Sequence, residues 1–241
     1  MRSGSLPQRF NTLDDMSPDE VRALLAGAAV VSSAPPTVLR HWHVAVVSET
    51  AACGPGVGLA EAAVALGASV VRLRPSVLRL DDRRQLRETA SLLGRLYDLI
   101  GCEGLALPVR AGLCCWAGVP VLNDVAAASH PTRILADLLL MQELARRPAD
   151  TITLGLFDAP GSATFQAWRL VSVITGLHLV YLGPAQETAP APRWDYRLDP
   201  PLGATDLMPL VAAGEAFEGL AERQHDAHRR LLQSMLMYLS G

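Results

Sequence analysis

Hydrophobic residues along the chain fall into short blocks that alternate between the spacing of strands and the spacing of helices. Residues 43–48 form an apolar, Val-rich run typical of a strand buried in a parallel sheet. An Ala-rich helical segment, 59–66, and a second apolar run, 68–73, follow it, and residues 83–97 then have the periodicity of an amphipathic helix. Repeated strand–helix units of this kind predict a doubly wound parallel α/β sheet.

The same alternation continues to residue 123 and starts again after Asp150. Further strands are predicted at 99–107, 119–123, 151–157 and 177–182, and further helices at 131–146, 162–176 and 219–239. A capping box of Ser17 and Glu20 predicts another helix near the amino end. Residues 184–201, rich in Pro and Ala, predict a loop or an irregular edge. The fold class is therefore predicted as two doubly wound parallel-sheet α/β domains, the second one truncated.

Composition narrows the class of protein. The chain has 241 residues, a formal net charge of −3 and 50% hydrophobic residues, which excludes a disordered chain and argues against broad nucleic-acid binding. All 21 basic residues are arginine, so chemistry that needs a lysine, such as a Schiff base or a P-loop, is excluded. Four cysteines without a CxxC pair, with no apolar leader and no apolar run of membrane length, predict a cytoplasmic protein that binds no membrane.

A glycine-rich turn lies between the first predicted strand and its helix. Helix-start N–H groups favour anions, so the turn is a candidate anion site formed by Cys53, Gly54, Gly56, Val57 and Gly58. The alternative is a tight structural turn. It is favoured by Leu59, which stands where GxGxxG needs a third glycine, and by Pro55, which lacks an N–H donor.

No pattern of histidines or cysteines predicts a metal or another cofactor. His225 and His228 are predicted to lie on a solvated face of the terminal helix, because charged residues surround them in sequence. Cys114 and Cys115 are predicted to pack in the core, since adjacent thiols are poorly placed to ligate one metal.

One stretch is more specific than any of these motifs. Residues 120–123 (PVLN) and 130–143 (HPTRILADLLLMQE) together resemble the aspartate/ornithine carbamoyltransferase family, whose linking helix begins HPxQ and continues LADxxTxxE. The resemblance implies a carbamoyl-phosphate-binding-like domain with the linking helix at 1–147, a shortened amino-acid-binding-like domain at 148–218, and a C-terminal helix at 219–241 that packs back on the first domain. It also implies carbamoyl phosphate or another small anion as ligand, and a trimeric assembly.

The chain departs from the family at positions that carry charge. The family's SxRTR loop is replaced by the glycine-rich turn, and Glu103 stands where a strand-end Arg is expected. His130 is kept, whereas Arg133 replaces the Gln of HPxQ. Each lost arginine removes charge-assisted bonds of roughly 1.5–3 kcal/mol. We therefore expect a catalytically impaired protein that acts by binding or assembly, as a homo-oligomer or together with an active homologue.

An alternative hypothesis is an active carbamoyl or related acyl-phosphate transferase with an altered site. Its catalytic residues would be His130, which donates to the carbonyl oxygen, and Arg133. Arg110 would join the glycine-rich turn in binding the anion. A third hypothesis is a small-molecule sensor that uses the cleft between the two domains.

Overall fold

The computed structural model describes residues 10–31, 37–49, 58–80, 82–182, 193–199, 209–213 and 219–241. Within these ranges the chain forms two α/β units, each built on a four-stranded sheet, so the predicted fold class is confirmed. The sheet of the first unit is wholly parallel, and the sheet of the second unit contains one antiparallel pair.

The first unit places three strand ends close together. Its strands are β1 His43–Ser48, β2 Ser69–Leu73, β3 Leu99–Glu103 and β4 Val121–Asn123, in the order β2-β1-β3-β4. The helices from α1 to α5 are Pro18–Val30, Leu59–Ala65, Arg83–Leu96, Leu107–Trp116 and Pro131–Ala145. Parallel pairing sets Ser48 opposite Glu103 and Cys102 opposite Asn123, so the carboxyl ends of β1, β3 and β4 meet at one edge of the sheet.

The second unit is smaller. Its strands are β5 Thr153–Leu156, β6 His178–Tyr181, β7 Tyr196–Leu198 and β8 Leu210–Ala212, in the order β6-β5-β7-β8, and its helix is α6 Ala163–Thr175. The prediction of a loop or an irregular edge over 184–201 is wrong at β7, which pairs with β5 and β8 inside the sheet. Tyr196 and Leu198 are buried and Arg197 between them is less so, but alternation over three residues is too short to separate a strand from a loop.

Two long helices join the units. Helix α5 is buried from Pro131 to Met141, because α7 (Leu220–Ser240) covers it along one side and α6 and α1 also contact it. Helix α7 packs on α1 and α2 as well, and Ser234 Oγ donates to the Leu24 carbonyl at 2.8 Å. Residues of both units share one hydrophobic cluster. None of the described helices is long and apolar enough to cross a membrane.

Helix α4 is an element that the hydrophobic pattern misses. The pattern predicts a strand through residue 107, whereas β3 ends at Glu103 and α4 begins at Leu107. Pro108 stands in the first turn of α4, where proline is well tolerated. Only three consecutive residues of α4 are buried, so its apolar face is too narrow to give a clear helical period.

Candidate functional site

His130 lies at the start of α5, where the helix meets the loop that follows β4. It is the N-cap residue, and its Nδ1 atom lies 3.3 Å from the backbone nitrogen of Thr132 and 2.8 Å from the Thr132 hydroxyl. The ring is buried, and burial lowers the pKa of His130 to about 3. The imidazole is therefore neutral over the physiological pH range.

A hydrogen-bonded chain connects His130 to α7 through Thr132. The Thr132 hydroxyl lies 3.1 Å from Nε2 of His228, and the side chain of His228 also bonds the backbone of Val125. The prediction that His228 lies on a solvated face is wrong, because it is buried against α5. Helix α7 packs against α5, α1 and α2, so the charged residues next to His228 in sequence do not show which side of α7 faces solvent. His225, one turn earlier, is partly buried.

Two proton arrangements fit this chain, because each neutral imidazole has one donor and one acceptor nitrogen. In the first, His228 donates to the Val125 carbonyl and accepts from Thr132, and Thr132 accepts from His130 Nδ1. In the second, His130 Nδ1 accepts from Thr132, so the proton sits on Nε2, and His228 donates from Nε2 to Thr132 in place of its bond to the Val125 carbonyl. Nε2 is buried and has no hydrogen-bond partner among the described residues. This nitrogen can therefore present either a lone pair or a proton to a ligand.

Arg110 and His130, both predicted as site residues, line the same cleft beside β4. This β4 cleft has a volume of about 370 Å³ and is lined by the amino-terminal segment, α4 and the β4–α5 loop. Arg110 Nη1 donates to Asp124 Oδ2, while Asp124 Oδ1 accepts from the Gly104 N–H at 2.7 Å. Asp124 holds a left-handed φ of 47°, which places its carboxylate between these two donors. Arg110 is thus already paired with a carboxylate, although its buried Nε has no hydrogen-bond partner among the described residues.

Three neighbouring strands carry carboxylates at their carboxyl ends. Glu49 follows β1, Glu103 is the last residue of β3, and Asp124 follows β4. The register that sets Ser48 opposite Glu103 brings the ends of β1 and β3 side by side. This edge of the sheet is therefore rich in negative charge.

Arg133 lies elsewhere, at the interface between α5 and α7. It is only 5% exposed, and neither Nε nor Nη2 has a hydrogen-bond partner among the described residues. The buried Asp137, one turn later on α5, accepts from Gln224 Nε2 at 3.0 Å. Burial raises the pKa of the Asp137 carboxyl, and the nearby Arg133 opposes that shift. Arg133 is not among the described residues that line the β4 cleft, so the structure does not bring it into one cleft with Arg110.

Of the glycine-rich turn, the described residues include only Gly58. Cys53, Gly54, Gly56 and Val57 lie outside the described residues, so their role as anion donors stays a prediction. Gly58 is the N-cap residue of α2, and its N–H donates to Glu61 Oε2 at 3.0 Å. Glu61 also accepts from Arg72 at 2.7 Å. The Gly58 donor is therefore engaged by a side chain of its own helix.

The two adjacent cysteines have different environments. Cys114 is buried and accepts from Asn123 Nδ2 at 3.3 Å, and burial raises the pKa of its thiol. Cys115 is exposed, so the prediction of core packing is wrong for this residue, because successive residues of a helix point about 100° apart. Across the described ranges, no group of three or more His, Cys, Asp or Glu side chains is placed to hold a metal ion.

Comparison with known proteins identifies a family. Residues 8–143, which are more than half of the chain, match the family described as aspartate/ornithine carbamoyltransferase, carbamoyl-P binding domain. The matched range contains the whole first sheet and nearly all of α5.

Solved structures share the fold. Ornithine carbamoyltransferase from Thermus thermophilus is 24% identical, with a TM-score of 0.59, and the match covers 75% of this chain and 63% of that chain. The enzyme from Pyrococcus furiosus is 21% identical with a TM-score of 0.62, covering 75% and 59%. The enzyme from Burkholderia thailandensis E264 is 16% identical with a TM-score of 0.60, covering 76% and 64%. This chain thus spans less than two thirds of each of these proteins.

Proposed function

This chain belongs to the aspartate/ornithine carbamoyltransferase family, and on that premise we propose that it binds a small anion such as carbamoyl phosphate but does not transfer the carbamoyl group efficiently. It acts by binding or assembly, as a homo-oligomer, with a trimer expected, or with an active homologue. The observation that supports inefficient transfer is the set of carboxylates at the ends of three neighbouring strands, Glu49, Glu103 and Asp124. The domain boundaries at 147 and 218 belong to the same proposal.

Electrostatics explains why these carboxylates oppose transfer. Phosphoryl oxygens and a developing oxyanion need preorganised positive charge or N–H donors around them. Glu103 repels a phosphate dianion, and Arg110 is already paired with Asp124. Each missing charge-assisted bond costs roughly 1.5–3 kcal/mol, and about 1.4 kcal/mol is a tenfold change in rate. Two missing bonds therefore lower the rate by roughly a hundredfold to ten-thousandfold.

The test combines a turnover assay with a binding assay on the full chain. With carbamoyl phosphate and either ornithine or aspartate, we expect no citrulline or carbamoyl-aspartate at enzyme-like rates, which are typically about 1 s⁻¹ or more. Calorimetry with carbamoyl phosphate is expected to show weak binding that tightens in Glu103→Arg and, to a smaller extent, in Glu103→Gln. Turnover at an ordinary enzyme rate in the unmodified chain would contradict the proposal.

A second candidate function is an active transferase that uses a different acyl phosphate. One observation favours it: Nε2 of His130, which can donate or accept a proton, lies on a residue that lines the same cleft as Arg110. Release of phosphate from acetyl phosphate or another acyl phosphate in the presence of an amine, lost in His130→Gln, would support this function. Release that is equal in the two proteins would exclude His130 from the reaction.

A further inference from the structure

We propose that Arg133 is an oxyanion-binding residue, whose Nε and Nη2 atoms together donate to a carboxylate or phosphate group of a small ligand at the α5–α7 interface. Both atoms are buried and have no hydrogen-bond partner among the described residues. The inference rests on the proposed function, because it names the chemistry of the ligand that this binding protein takes.

The unpartnered atoms of Arg133 form a binding surface by themselves. Nε and Nη2 lie on one edge of the planar guanidinium, and this edge matches the two oxygens of a carboxylate or phosphate. A buried guanidinium does not escape the desolvation cost by losing its proton, because arginine stays charged in proteins. A ligand that accepts from both donors therefore removes an existing penalty as well as adding a contact.

The protein groups next to Arg133 do not complete that edge. Asp137 Oδ1 accepts from Gln224 Nε2 at 3.0 Å, and Gln224 Oε1 in turn accepts from the Leu210 N–H at 3.4 Å. The carboxylate nearest in sequence is thus committed to a contact with α7 and, through it, with β8. The two donors of Arg133 stay unmatched while Asp137 keeps this arrangement.

Two histidines of α7 lie near Arg133, and one of them is partly exposed to solvent. Desolvation and the charge of Arg133 both lower the pKa values of His228 and His225, which places the guanidinium near both rings. His225 is only partly buried, so the interface approaches solvent on that side. Among the described residues, Asp137 of α5 lies near Arg133, and Glu222 of α7 lies near His225.

Titration calorimetry on the full chain tests the proposal with inorganic phosphate and with malonate, at matched ionic strength. We expect at least one anion to bind, and Arg133→Gln to weaken that binding by roughly tenfold to a hundredfold. Arg133→Lys keeps the charge but loses the two-donor edge, so it should also bind more weakly than the unmodified chain. Arg229→Gln is the matched control, since Arg229 is half-exposed on α7 and already paired with Asp226.

The outcomes separate the sources of the oxyanion. Tighter binding of phosphate indicates a phosphorylated ligand, and tighter binding of malonate indicates a carboxylate ligand. The proposal is overturned if neither anion binds, if Arg133→Gln binds as well as the unmodified chain, or if Arg229→Gln loses as much affinity. A carbamoyl-transfer result that overturns the proposed function leaves this titration unaffected, so the two failures are distinguishable.

A second measurement covers the case in which Arg133→Gln does not fold. Arginine Nε–H resonances of the unmodified chain can be followed during the phosphate and malonate titrations. The resonance that is absent in Arg133→Lys should shift on binding. Binding that leaves this resonance in place would overturn the proposal.

Discussion

The β4 cleft and the α5–α7 interface each contain an arginine predicted as a site residue, and the two arginines differ in how many of their donors have a partner. In the β4 cleft, Arg110 Nη1 donates to Asp124, whose second oxygen accepts from the Gly104 N–H, and of the buried donors of Arg110 only Nε has no partner among the described residues. At the α5–α7 interface, Arg133 is more deeply buried and its Nε and Nη2 donors are unmatched. A buried charge without hydrogen-bond partners is costly, and Arg133 has two such donors. A bound anion therefore stabilises the α5–α7 interface more than the more open β4 cleft.

The largest effect that we expect concerns two buried histidines joined through Thr132, namely His130 at the start of α5, which also lines the β4 cleft, and His228 on α7. His130 and His228 have pKa values held below the ordinary value of 6.5, so the unfolded state binds protons that the native state does not. Stability is therefore lost as the pH falls below about 6.5 toward the native pKa values. For His130 the loss between pH 7 and pH 5 is about 2 kcal/mol, and His228 adds a loss of the same sign. Urea unfolding at both pH values measures it.

The variant His228→Gln measures how much of this pH dependence of stability comes from the α5–α7 interface. His228→Gln keeps a polar partner for Thr132 but removes one titrating ring, so the loss between pH 7 and pH 5 should become smaller. The raised pKa of Asp137 acts in the opposite direction, since its native carboxyl takes up a proton more readily as the pH falls. An unchanged pH dependence in His228→Gln would show that His228, and with it the α7 side of the α5–α7 interface, does not contribute to the loss.

The next effect concerns the β4 cleft. Asp124→Asn removes the carboxylate that pairs with Arg110, and asparagine tolerates the left-handed φ of 47° at this position. We expect a loss of about 2 kcal/mol in the free energy of unfolding, together with tighter binding of inorganic phosphate, because the charge of Arg110 is released. Unfolding in urea and calorimetry measure the two changes.

The phosphate affinity of Asp124→Asn distinguishes two reasons why Arg110 would not bind an anion. If phosphate affinity does not rise in Asp124→Asn, the pairing with Asp124 is not what keeps Arg110 from binding anions. The carboxylates Glu49 and Glu103 would then be the stronger influence at this edge of the sheet. A loss of stability without a gain in affinity therefore separates the structural part of the Arg110 pair from its electrostatic part.

The sequence predicts local features of this molecule better than contacts between distant segments. Strand–helix alternation and the HPTR stretch predict the first sheet and place His130 at a helix start, because both are local patterns. The contact between Thr132 and His228 joins residues 96 positions apart, and periodicity does not reveal which neighbour covers a helix face. Asp137 is a sequence signal of such a distant contact, because a charged residue within the apolar run ILADLLL needs a buried partner. Nothing in the pattern identifies that partner as Gln224.

The smallest effect concerns the other side of α7, where it packs on α1. Ser234 Oγ donates to the Leu24 carbonyl at 2.8 Å, and Gly27 leaves room for this close approach. Ser234→Ala removes one neutral hydrogen bond, so we expect a loss of about 1 kcal/mol at pH 7 in urea unfolding. The pH dependence and the anion affinity should not change, because Ser234 does not contact the histidines or Arg133 in the described structure. If either one changes in Ser234→Ala, α7 moves as a whole, and the properties assigned to the α5–α7 interface belong to the docking of the entire helix.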